Sequence, residues 1–163
     1  MITLYHGGSH IIQTPEIRVP NRTLDFGMGF YTTTSESQAE KLVKDRILRR
    51  KWQGGYVNSY FFDIEYARKR LCIKQFEAPN DEWVDFVLQN RNVSGFTHDF
   101  DIVVGPVAND NVYQQFALFE NGAISKETLI AELLPYKLVD QYLFHTDESL
   151  KFLEYQYNKF IQP

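Results

Sequence analysis

At 163 residues, with 44% hydrophobic and 23% charged positions, the chain can bury a real core and is not disordered or collagen-like. A formal charge of -4, from 17 basic and 21 acidic residues, excludes a general electrostatic pull toward nucleic acid. Its single cysteine, Cys72, excludes a disulfide framework and a cysteine metal cluster.

Neither a secretory leader nor an apolar run long enough for a bilayer is visible, so a cytoplasmic protein without a membrane partner is expected. Residues 2–6 read as a short strand that Gly7 and Gly8 stop, which leaves His6 at a strand end. A loop with Pro15 and Pro20 follows. Residues 25–34 then hold Gly27 and Gly29, Phe30 and Tyr31, and three consecutive threonines. Glycine permits backbone shapes and close approaches that a side chain blocks, while aromatic residues and threonine favour a strand. The stretch therefore reads as a glycine-shaped turn delivering a strand over 30–33.

Ser35 or Ser37 suits the cap of the next helix, with Glu36 and Glu40 early, Arg49, Arg50 and Lys51 late, and Ala39, Leu42, Val43 and Ile47 on one stripe. Gly54 and Gly55 break it, and period-two alternation predicts a strand over 56–64. A polar turn or short helix (65–70) and a strand (71–76) precede a helix entered through Pro79 and Asn80 or Asp81, with Trp83, Phe86 and Val87 inward. After a loop over 91–100 come a strand over 101–104 and a helix opened by Asp110 and Asn111. A helix from Ser125 to Pro135 follows, then a strand over 139–144. A terminal helix is expected to carry Leu150, Leu153 and Tyr157 on one stripe. About six strands and five helices that do not alternate regularly predict one α+β domain over 1–163, with a bent, mainly antiparallel split sheet flanked by helices.

Phosphate-loop, zincin and nucleophile-elbow motifs are all missing. His6 and His10 are four apart but lack a helical pattern, so they do not read as a metal pair. His98 and Asp99 fall in a loop, as a binding edge or as plain surface.

Three fragments do stand in chain order: Leu4-Tyr5-His6-Gly7, then Phe26-Gly27-Met28-Gly29-Phe30-Tyr31-Thr32-Thr33, then Asp140-Gln141-Tyr142-Leu143-Phe144-His145-Thr146. The set resembles the histidine–tyrosine–glutamate branch of the ADP-ribosyltransferase superfamily, which includes diphtheria toxin and the poly(ADP-ribose) polymerases. More closely, and over most of the chain, it resembles the small bacterial domain family DUF3990, placed near that superfamily. The resemblance implies NAD as cofactor and mono-ADP-ribosyl transfer to a macromolecular acceptor, with nicotinamide released. His6, Tyr31 and Gln141 would be the catalytic trio. His6 would bind the adenosine ribose, Gly7 the nicotinamide amide through its backbone, and Tyr31 the nicotinamide ring, with Gly29, Phe30 and Thr32 shaping that wall.

Two departures count against full activity. Gln141 stands where the resemblance implies a glutamate, and Leu42 where a second stacking aromatic is often found; Tyr56 or Tyr60 could supply that wall instead. Glu148 and Asp147 lie near Gln141 but belong to the start of the next helix. Asn109 and Asp110 resemble a signature of the small family and equally suit a helix cap. An inactive NAD-binding or protein-interaction module on the same fold is the alternative. The acceptor, an antitoxin or immunity partner, and the oligomeric state stay open.

Overall fold

Two sheets face one another and helices cover their outer sides. The computed structural model describes residues 1–19, 24–107, 110–134 and 139–163, apart from the side chains of Asp110 and Asn111. Among these, the strands are β1 (Ile2–Gly8), β2 (Phe30–Thr32), β3 (Gly55–Phe62), β4 (Ile73–Gln75), β5 (Ile102–Pro106), β6 (Asp140–Phe144) and β7 (Glu154–Ile161). The helices are α1 (Glu36–Arg50), α2 (Ile64–Arg68), α3 (Asp81–Asn92), α4 (Asp110–Glu120), α5 (Lys126–Leu133) and α6 (Asp147–Leu150).

The first sheet has the order β1-β3-β7 and is antiparallel throughout. The second runs β2-β6-β5-β4, with only the β4–β5 pair parallel. Among the described residues a single bridge joins the sheets, between Tyr5 at the middle of β1 and Thr33 just past β2. Its two backbone hydrogen bonds measure 2.8 and 3.0 Å, and beyond it the strands part. The fold is thus α+β, with mixed antiparallel and parallel sheets flanked by helices.

Strand alternation sorts the side chains into layers. Leu4, Tyr60 and Phe62 from the first sheet meet Phe30, Ile102, Val104, Tyr142 and Phe144 from the second, forming an inter-sheet core. On the outer face of the first sheet, Ala39, Val43 and Ile47 of α1 pack on Val57 and Ile161. On the outer face of the second, Trp83, Val84 and Val87 of α3, Phe116 of α4, and Leu129 and Leu133 of α5 cover Val103 and Leu143. Ser35 caps α1 as expected, its side chain accepting from the Gln38 backbone N–H, and Asn80 caps α3 in the same way toward Trp83.

Several expectations are corrected. Gly7 and Gly8 do not stop β1, which runs through both. A Cβ on Gly7 would come within 2.7 Å of the Ala39 carbonyl, so glycine here lets α1 lie against the strand. Leu42 leaves the α1 stripe and is 39% exposed. Ile64 opens α2 rather than ending β3, because the Asp63 carboxylate caps Tyr66 and turns the chain. Helix α3 continues through Asn92, shortening the expected loop.

The terminal helix is the largest difference. α6 is one turn closed by a Thr146–Ser149 capping box, and residues 154–161 form β7. Tyr155, Tyr157, Phe160 and Ile161 suit a strand, and the open edge of β3 supplies the backbone partners that decide it. The expected roles of Asn109 and of Pro20 and Pro135 lie outside the described residues, as does that of the Asp110 side chain.

Candidate functional site at the parting of β1 and β2

Three neighbouring strands carry the sequence-predicted trio: His6 on β1, Tyr31 on β2 and Gln141 on β6. β2 pairs with β6, and β1 meets β2 at the Tyr5–Thr33 bridge. His6 follows that bridge directly, where the strands separate.

The His6 imidazole lies in the gap. Its Nδ1–H donates to the Tyr31 carbonyl oxygen at 2.7 Å, which leaves Nε2 as the acceptor nitrogen. The ring stacks on Phe30 with centroids 4.3 Å apart and planes 21° apart. Burial pushes its pKa down to about 4 against a smaller upward pull from the Tyr31 carbonyl; Arg46 and Arg18 lower it further. At neutral pH the ring is therefore uncharged, with one nitrogen spent and one available. The carbonyl of the adjacent Gly7 accepts from the Arg46 guanidinium at 3.0 Å.

Tyr31 meets His6 through its main chain, not its ring. Alternation sends Phe30 and Thr32 into the inter-sheet layer, where Phe30 is buried and the Thr32 hydroxyl donates to the Tyr142 carbonyl. The Tyr31 ring takes the opposite face and packs against the α3–α5 core. Its hydroxyl donates to the Gly27 carbonyl at 2.6 Å and accepts from the Phe26 N–H at 3.2 Å. Gln141 lies on that same face, diagonal to Tyr31, since Tyr31 stands opposite Leu143. Its residue is only 7% exposed and its side-chain Nε2 has no hydrogen-bond partner. Sheet neighbours thus unite the trio, but the His6 ring faces the inter-sheet layer while Tyr31 and Gln141 face the helices.

Some of what fixes this site escaped the sequence. Three successive carbonyls of the glycine turn each accept from a side chain. His98 Nε2–H bonds Phe26 at 2.8 Å, the Tyr31 hydroxyl bonds Gly27, and His145 Nδ1–H bonds Met28 at 2.5 Å. The two imidazoles lie against one another, centroids 4.3 Å apart. Burial lowers the His98 pKa; the Phe26 carbonyl opposes this and His145 adds to it. His98 is thus a clamp on the turn, neither a free binding edge nor plain surface. Its position 72 residues from Phe26 left no local signal.

The other candidates sit apart from the trio. Tyr60 is fully buried, its hydroxyl donating to the Ile12 carbonyl at 2.6 Å, so it is no pocket wall. Tyr56 packs its ring against Phe160. Glu148 lies in α6 and pairs with Lys151. A cavity of about 390 Å³ opens against Gly27 and Met28, lined also by Arg91, Val93 and Phe96. A second, of about 450 Å³, lies between α3 and α4 beside Asp85 and Glu120. Among the described residues no cluster of three or more His, Cys, Asp or Glu could hold a metal ion, and no helix is long and apolar enough to cross a membrane.

Fold and site together define an α+β protein with two sheets parting at a histidine–tyrosine contact. The chain belongs to the family described as Protein of unknown function (DUF3990), whose model matches residues 2–155. No curated protein and no solved structure matches the chain.

Proposed function

We propose that the chain binds NAD at the parting of β1 and β2 and carries out mono-ADP-ribosyl transfer to a macromolecular acceptor. The observation that carries this reading is the strand order β6–β2–β1, which sets Gln141, Tyr31 and His6 on three successive neighbours. That order supports an ADP-ribosyltransferase-like arrangement of the split sheet.

The residues fit the cofactor in part. Nε2 of His6 is an acceptor for a ribose hydroxyl, fixed in that tautomer by the Tyr31 carbonyl. The Gln141 amide is also unpartnered, but it is buried on the sheet face opposite the His6 ring, so donating to a second hydroxyl requires that face to open. The Gly7 carbonyl already accepts from Arg46, but a carbonyl has a second lone pair for the nicotinamide amide. NAD would supply the ADP-ribosyl group and a leaving group that departs without needing a proton. What remains for the protein is positioning and tolerance of developing positive charge. Gln141 positions but carries no charge, so slow single transfer is expected and chain extension is not.

Mass spectrometry of an acceptor mixture incubated with NAD tests the reading. Added ADP-ribose that is lost in Tyr31→Ala supports it; the same product from a folded Tyr31→Ala protein would remove Tyr31 from its role. The alternative, an inactive NAD-binding or interaction module, is favoured by one observation: the Tyr31 hydroxyl and ring are both engaged within the fold. Binding of NAD with no transferable product would select it.

A further inference from the structure

Arg91, in the last turn of α3, is a cation that the proposed chemistry does not use. Its guanidinium lies over the rings of Tyr113 and Phe116, 4.9 and 5.5 Å from their centroids. One terminal nitrogen, Nη1, is sealed from solvent without a hydrogen-bond partner. Among the described residues no carboxylate lies within ion-pair distance of it. A partly buried guanidinium with no counter-charge among the described residues favours an anion.

The space for one adjoins it. Arg91 lines the cavity of about 390 Å³ that also touches Gly27, Met28, Val93, Ser94 and Phe96. That volume holds far more than an inorganic ion. Met28 and Val93 are large apolar residues left 37% and 54% exposed, and with Phe96 they offer a surface for an organic body. Ser94 adds a hydroxyl. The larger cavity between α3 and α4 is instead edged by Glu120 and by Asp85, whose carboxylate is already paired with Lys126, and no cation lines it. None of His6, Gly7, Tyr31 or Gln141 lines the Arg91 cavity.

We propose that this cavity is a second ligand site, separate from the His6 site, for a small organic anion: a phosphate or carboxylate held by Arg91, with its apolar body against Met28, Val93 and Phe96. The inference stands whether or not NAD binds elsewhere.

Phenyl phosphate and benzoate, titrated separately into the full chain and followed by the amide resonances of Gly27 and Gly95, test it and distinguish the two sources. Saturable shifts at millimolar concentration or below with either probe are expected. Arg91→Met, which keeps a side chain over the two rings, and Val93→Glu, which sets a like charge at the exposed rim, should each weaken binding at least about tenfold. If Arg91→Met fails to fold, Val93→Glu still decides. Three results would overturn the proposal: no shift at either glycine with both probes, equal affinity in the folded variants, or displacement of the probe by NAD in direct competition.

Discussion

At Gly29 the backbone has φ of 155°, and a Cβ there would collide with the Leu143 side chain and the Phe144 carbonyl of the neighbouring strand. Gly29→Ala should therefore cost roughly 2–4 kcal/mol, read as a lowered denaturant midpoint, because the obstacle includes main chain that cannot step aside. Tyr31→Phe separates ring from hydroxyl. It removes the 2.6 Å bond to the Gly27 carbonyl and should cost about 1–2 kcal/mol in thermal unfolding while leaving the packed ring in place. His6 sets a pH dependence. Its folded pKa, about 4, lies below the ordinary 6.5, so the unfolded chain takes up this proton first. The stability it protects is fully present above about pH 6.5 and is lost as pH falls toward 4. Urea midpoints measured from pH 7 to 5 should fall more steeply for the wild type than for His6→Gln. A residual slope in the variant belongs to His98, shifted in the same direction. For Gln141 the functional reading predicts that Gln141→Glu raises ADP-ribosyl transfer at least about tenfold by restoring a charged stabiliser. An unchanged rate would show that charge at this position is not what limits turnover.

Among the elements, those governed by local rules were legible. Ser35, Asn80 and Ser125 stand one residue before α1, α3 and α5, and each side chain accepts from the expected backbone N–H. Alternation located β3, and Trp83, Phe86 and Val87 face inward from α3 as their spacing implies. What was not legible depended on distant partners. β7 is a strand because the β3 edge lies open to it, through partners about a hundred residues away in sequence. Its apolar residues also fit a helical stripe, and periodicity alone could not choose. The same pairing predicts that a chain ending at Leu153 loses Val57's cover from Ile161 and exposes the β3 edge. Such a truncation should lose the cooperative unfolding transition by circular dichroism; a folded truncated chain would make β7 an accessory strand.

Across the whole molecule, the candidate site was legible as three short motifs but not as a geometry. The three motif strands are successive neighbours, β6–β2–β1, whereas the sides they present came only from register: Phe30 and Thr32 turn inward between the sheets and Tyr31 turns outward. Of the two clamps on the glycine turn, His98 comes from a loop with no motif of its own, and His145 lies near the end of the third motif, where nothing local marks it as a partner of the Met28 carbonyl. We propose that NAD is held at the parting of β1 and β2 through a neutral His6. Calorimetric titration with a non-hydrolysable NAD analogue at pH 7 tests it most directly. One saturable site is expected for the wild type, weakened at least about tenfold in a folded His6→Gln protein. No heat at millimolar analogue from a folded wild type, or equal affinity in the variant, would contradict it.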